Sequence, residues 1–211
     1  MKHGLALHTS SPALGLAIGS NAEDVRCQTW DLGRDTSNYL HPYLRDFMRP
    51  HTWQDLGWIA VANGPGGFTG TRLGAVTART LGQQLNLPVF AISSLAAVAW
   101  QSPQVGLLAV SMPAQRGEVF AAVYSISNDD RNLQAILPET VFSAPDWEIE
   151  LAQYQPTHHH VIPQSANLSD TVVGVLALAR MAFDRGERPH WSTALPFYGQ
   201  HPVINSKIGK D

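Results

Sequence analysis

Apolar residues along this chain follow two periods, an alternation suited to strands and a three-to-four spacing suited to helices, and the switches between them mark the elements. Residues 4–8, 14–19 and 25–32 read as three strands, joined by the turns Ser10-Ser11-Pro12 and Asn21-Ala22-Glu23-Asp24. The period then changes. Over 35–48, Tyr39, Leu40, Tyr43, Leu44, Phe47 and Met48 form one wide apolar stripe, a helix that Asp35 or Thr36 can cap and that Pro50 stops. A strand at 57–63 empties through Gly64-Pro65-Gly66-Gly67-Phe68-Thr69-Gly70-Thr71-Arg72-Leu73-Gly74 into a second helix ending near Gln84. On that helix Leu73, Val76, Thr80 and Leu81 share a side, Arg72, Arg79 and Gln83 lie elsewhere, and Thr69 or Thr71 can cap the start near Gly70. Ser93 or Ser94 caps a third helix that runs through Trp100.

A second half opens near Ser102-Pro103. Residues 106–112 and 117–125 read as strands around the turn Pro113-Ala114-Gln115-Arg116, 133–142 as a weaker strand pair, 145–153 as a short helix and 158–163 as a strand. A clear helix spans 169–185, capped by Ser169 and ended by Gly186. Strands and helices thus occur twice in similar order. This predicts an α/β chain of two related subdomains, 1–102 and 103–211, the second reduced.

Composition changes the picture in one respect. Charged residues are 15% of the 211 positions, against roughly 25% in ordinary domains. So sparse a charge leaves much of the surface neutral or apolar, as in a protein that covers part of itself with a partner. A net charge of −3, with only three lysines among fourteen Lys and Arg, excludes a broad basic nucleic-acid face. The single cysteine, Cys27, allows no internal disulfide and reads as a small apolar residue in a reducing, cytoplasmic setting. No apolar run reaches the roughly 20 residues of a membrane span, and His8 and Pro12 interrupt what would be the core of a signal peptide.

The Gly64–Gly74 run is the strongest candidate for chemistry. A strand leaving through glycines into a helix converges backbone N–H groups on one spot, which can hold an anion or a closely packed backbone. A Walker loop ends in Gly-Lys-Ser/Thr, and no lysine lies between Lys2 and Lys207; the dinucleotide fingerprint fails because Thr69 occupies the third glycine position. His158-His159-His160 offers metal-ligand chemistry, but on a strand only His158 and His160 share a face, and no carboxylate or cysteine cluster accompanies them. Glu118 can act as a base or pair with Arg116 or Arg72, and pairing is the expectation. Ser10, Ser11, Ser93 and Ser94 sit on turns without a histidine–carboxylate set, which assigns them to turns and caps.

The full spelling of the glycine run resembles the GPGSFTGLRIG-type signature of the TsaB family, also called YeaZ, the non-catalytic partner in bacterial synthesis of tRNA threonylcarbamoyladenosine. Leu5-Ala6-Leu7-His8-Thr9-Ser10-Ser11 is similar to that family's opening LALDTST, Pro88-Val89-Phe90-Ala91-Ile92-Ser93-Ser94-Leu95 to its PVVGVSSL, and Arg116-Gly117-Glu118-Val119-Phe120 to its RxGEVY. These four motifs cover roughly the first 125 residues, and Pro196-Phe197-Tyr198 adds a weak echo. The resemblance implies an actin-like, ribonuclease-H-like (ASKHA) fold and no catalytic residues, metal or cofactor of its own, with a nucleotide at the partner interface left open. It implies a scaffold that binds the catalytic subunit TsaD, with TsaE joining, that meets tRNA only indirectly, and that forms a homodimer when alone. Family members pair through the two helices at 36–48 and 70–84, so the expected interface residues are Tyr39, Leu40, Tyr43, Leu44, Phe47, Arg72, Leu73, Val76 and Leu81. Three departures stand out: His8 replaces an aspartate, and Pro113 and Gln115 replace an acidic residue and an arginine. A carboxylate at position 8 would hold a metal or orient water, which imidazole does poorly for Mg²⁺. This weakens the alternative reading, a sugar-kinase-like ATPase or phosphotransferase, and the absence of paired metal ligands weakens a glycoprotease. The signature residues Gly64, Pro65, Gly66, Gly67, Thr69, Gly70 and Gly74 are accordingly expected to act structurally, with Gly67→Val lowering stability and partner binding together.

Overall fold

A computed structural model describes residues 2–127 and 132–199. The first sheet is built from β1 (His3–His8), β2 (Ala13–Gly19), β3 (Val25–Asp31), β4 (Leu56–Ala62) and β5 (Val89–Ile92), in the order β3-β2-β1-β4-β5. β1, β2 and β3 form an antiparallel meander, and β4 and β5 join parallel to β1. Helix α1 (Thr36–Met48) leads into β4, α2 (Phe68–Leu85) connects β4 to β5, and α3 (Ser94–Gln101) follows.

The second sheet repeats this plan. Its strands β6 (Gly106–Pro113), β7 (Glu118–Ile126), β8 (Leu133–Ser143) and β9 (His158–Val161) lie in the order β8-β7-β6-β9, with the first three antiparallel and β9 parallel to β6. Helix α4 (Ala144–Tyr154) takes the place of α1, and α5 (Val172–Asp184) is the last α-helix among the described residues, with no fifth strand in this sheet. A three-strand meander, a helix and a parallel fourth strand therefore occur twice, in the ribonuclease-H-like manner, and the second copy is the shorter.

Side-chain alternation decides how the layers pack. Leu5, Leu7, Leu14, Leu16, Ile59 and Val61 point to one face of the first sheet, where Leu40, Leu44 and Phe47 of α1 and Ala78 of α2 cover them. The intervening Ala6, Ala17, Ala60 and Ala62 point to the other face and receive Val172, Val175, Leu176 and Ala179 of α5. Although α5 follows the second sheet in the chain, it lies on β1, β2, β4 and β5 and against α3. Small residues make this approach possible: a side chain at Gly174 would stand 2.7 Å from the Ala97 carbonyl oxygen. α3 in turn sends Leu95 and Ala99 into the apolar face of the second sheet, against Leu108, Val110, Phe120 and Tyr124. Trp147 of α4 covers that sheet's opposite face.

Several helix starts differ from expectation. Ser93 caps α3, accepting from the N–H groups of Leu95 and Ala96. Asp35 makes no side-chain cap, and Thr36 turns its hydroxyl to the Gly33 carbonyl instead. α2 begins at Phe68 with Gly67 in the cap position and no side-chain cap, and the Thr71 hydroxyl, within the first turns of the helix, donates to the Ser10 hydroxyl. Asn167, not Ser169, caps the turn leading to α5, since the Ser169 hydroxyl donates to the Ala13 carbonyl at 2.8 Å. Residues 133–143 form one strand with irregular register in place of a strand pair. Among the described residues no helix is long and apolar enough to cross a membrane.

Candidate functional site

The two halves enclose a cleft of about 560 Å³. Its walls are the β1–β2 turn (Ser10, Ser11, Pro12), the start of α2 (Gly66, Gly67, Phe68, Thr71), the β6–β7 turn around Arg116, the segment after β9, and Phe197 and Tyr198. In the sequence Phe197 and Tyr198 carry only a faint echo of the family. In the structure the Phe197 N–H donates to Asn63 at 2.7 Å, and Tyr198 packs on Phe68 with ring centroids 4.7 Å apart. The end of the described chain thus straps the signature loop.

The signature loop spends its geometry on its own chain. The Gly67 N–H donates to the Ser10 carbonyl at 2.7 Å, and the Thr9 hydroxyl donates to the Gly70 carbonyl at 2.7 Å. A side chain on Gly66 or Gly70 would run into the carbonyl oxygens of Ser10 and Thr9, and one on Gly74 into the Thr9 hydroxyl. Gly64 has φ +104, which favours glycine, and its carbonyl accepts from Ser94. Pro65 is buried, and Thr69 is exposed in the first turn of α2. Gly67 departs from expectation: its φ is −61 and the nearest obstacle is 3.5 Å away, so it accepts a side chain.

His8 lies at the end of β1 and is fully buried. Burial pushes its pKa down to about 3, so the imidazole is neutral, and Nδ1 accepts from the Ser10 N–H at 3.4 Å. Nε2 has no hydrogen-bond partner among the described residues. The unfolded chain takes up this proton near pH 6.5 while the folded chain refuses it until about pH 3. The stabilisation is therefore complete above pH 6.5 and drains away as pH falls through that window, by about 2 kcal/mol on going to pH ~4.5. Chemical denaturation across this range should show the loss, and the His8 ring resonances should stay unshifted through it; titration of His8 near its ordinary value would contradict the assignment.

The helices expected to meet a partner lie side by side on one face of the first sheet. Leu40, Leu44 and Phe47 are in the core, packed on the chain's own strands, and are not available to a partner. Tyr43, Leu73 and Leu81 are half-buried beside that core. Tyr39, stacked on Tyr43, and Val76 are exposed at 45% and 51%, and Arg72 is exposed. The reason is that α2 buries its small-residue side, Gly74, Ala75, Ala78 and Gly82, and so turns Val76 outward. Arg45–Asp46 and Arg185–Glu187 are paired at the surface, and the His3 Nε2 lies 3.4 Å from the Asp24 carboxylate. Glu118 opens β7, where its carbonyl accepts from Ala114.

In β9, His159 bonds the Ser111 hydroxyl at 2.9 Å, and partial desolvation lowers its pKa. His158 and His160 border a second cavity of about 510 Å³ with Gln101 and Gln104. Among the described residues no three His, Cys, Asp or Glu side chains are grouped to hold a metal.

Residues 37–166 match the family model described as TsaD, tRNA N6-adenosine threonylcarbamoyltransferase. The tRNA threonylcarbamoyladenosine biosynthesis protein TsaB of Bacillus subtilis is 33% identical over 149 residues, 68% of this chain and 63% of that protein. The protein of the same name from Escherichia coli is 27% identical over 129 residues, 57% of this chain and 54% of its own length. The chain thus spans less than two thirds of each of these relatives. A Pseudomonas aeruginosa structure described as an uncharacterized protein with similarity to peptidase YEAZ superposes with a TM-score of 0.75 at 24% identity, covering 95% of this chain and all of that one. It shows the same fold.

Proposed function

Since the chain belongs to the TsaB (YeaZ) family, related to the TsaD transferases, we propose that it is a non-catalytic subunit for making tRNA N6-threonylcarbamoyladenosine, holding a TsaD-type catalytic subunit in its productive form, with TsaE in the larger assembly. The observation that carries the non-catalytic part is His8: the position at the end of β1 that resembles a family aspartate, two residues before the cleft-lining Ser10, is a buried, neutral imidazole. It can neither neutralise a divalent cation nor present an anionic base to water. The signature loop supports the same reading, because its glycines meet the β1 turn in place of a phosphate.

The partner surface we propose is the ridge left exposed by α1 and α2: Tyr39 and Tyr43 on one helix, Arg72 and Val76 on the other, with half-buried Leu73 and Leu81 between. In the absence of TsaD a second copy of the chain covers the same ridge through a two-fold contact. Co-expression with a tagged TsaD-type protein tests this. The chain is expected to co-purify, to restore tRNA modification by a TsaD–TsaE mixture, and to turn over no ATP by itself. Arg72→Ala is expected to weaken capture about tenfold with an unchanged melting curve. Steady ATP turnover by the lone chain, or full modification activity without it, would overturn the proposal.

A further inference from the structure

The interdomain cleft has a charge pattern that a scaffold role does not require. Its second-sheet wall is apolar, with Met112, Phe120, Ile162 and Phe197 facing the space. The first-sheet wall carries the hydroxyls of Ser10, Ser11 and Thr71. Among the described residues that line it there is no carboxylate, and the one charged side chain is Arg116. That arginine is exposed at the tip of the β6–β7 turn and holds φ 59 and ψ 28, a left-handed conformation uncommon for a non-glycine residue. Its neighbour Gly117 has φ +73, so the turn presents the Arg116 side chain at the cleft rather than leaving it along a strand. Glu118, the nearest carboxylate in sequence, opens β7 and does not line the space.

We infer that this cleft binds a small organic anion with a flat or apolar body, its phosphate or carboxylate group on Arg116 and its body against Phe120 and Met112, without a divalent cation. Arginine receives both head groups through paired N–H donors. The volume of about 560 Å³ lies in the range of small-molecule sites. A wall without carboxylates offers a magnesium ion no anionic oxygen, so the ligand enters bare, unlike a metal-bound triphosphate. The head group is placed on the second half, across from the signature loop, whose Gly67 N–H is already engaged by Ser10. The inference stands apart from the scaffold proposal, since it concerns the lone chain and its anion-binding residue, Arg116, lies on the β6–β7 turn and not on the α1–α2 ridge.

Three probes test it on the purified chain by NMR shift perturbation and calorimetry: AMP as a planar phosphate, benzoate as a planar carboxylate, and inorganic phosphate as a head group without a body. We expect AMP or benzoate to bind saturably at sub-millimolar concentration, with perturbed signals at Arg116, Phe120 and Met112. Binding should be the same in EDTA as in magnesium, and inorganic phosphate should bind at least about tenfold more weakly. Arg116→Asn keeps a residue that tolerates the left-handed turn and removes the charge, and it should weaken binding about tenfold or more at an unchanged melting temperature. Arg116→Lys should keep part of it. The inference fails if neither AMP nor benzoate saturates up to ~5 mM, if Arg116→Asn binds like the parent chain, or if binding appears only with magnesium.

Discussion

Gly70→Val is expected to destabilise the protein by more than ~4 kcal/mol, enough to leave little folded chain. The residue is in the first turn of α2, and the carbonyl oxygen of Thr9 occupies the place a Cβ would take. Neither side can retreat. Thr9 is fixed by its hydroxyl on the Gly70 carbonyl and is wholly buried, and its neighbour Ser10 is held by Gly67 and Thr71. The control is Gly67→Ser. Gly67 sits at the helix cap in an ordinary conformation, where a Cβ would make only ordinary contact with the Ser10 carbonyl at 3.5 Å, and a serine there can accept from the first free N–H groups of α2. It should gain about 0.3 kcal/mol relative to glycine. Thermal melts of the two variants read the difference directly. A folded Gly70→Val melting near the parent would show that the loop is loosely packed and available for a ligand.

Val76→Glu is expected to abolish self-association and to reduce capture by a TsaD-type partner by about a hundredfold or more, while the melting temperature stays within a few degrees of the parent. Val76 is 51% exposed on the outer side of α2, so the substitution disturbs no core contact. At a two-fold contact each copy would bring its own glutamate to the centre of an apolar patch, where an unpaired carboxylate is costly. Tyr39→Ala, at the edge of the same ridge and stacked on Tyr43, should weaken association by a smaller factor. Analytical ultracentrifugation and pull-down give both numbers. If Val76→Glu leaves both assemblies intact, the interface lies elsewhere on the molecule.

Much of this protein is legible in the order of its residues. The alternation Leu5-Ala6-Leu7 and the spacing Leu40, Leu44, Phe47 are local properties, and they are sufficient to give the strands, the helices and the doubled plan of the fold. The four family-like motifs are short contiguous spellings within the first 125 or so residues, so they can be read without the fold. What periodicity leaves open is which contact each residue makes. An apolar stripe on α1 reads the same whether it faces a sheet or a partner, and only the packing on β1, β2 and β4 shows that Leu40, Leu44 and Phe47 are already covered. Gly67 and Gly70 look alike in the signature. They are told apart by a carbonyl at Thr9, 61 residues earlier than Gly70, which the fold brings against one and not the other. The same holds for α5, which belongs to the second half by sequence and to the first sheet by contact. Arg116 acquires a cleft to face only when the two hairpins meet. Local spacing determines what each segment becomes, because backbone geometry repeats over a few residues. Exposure, steric tolerance and the charge of a cavity are set by atoms far apart in the chain, and those the tertiary structure alone decides.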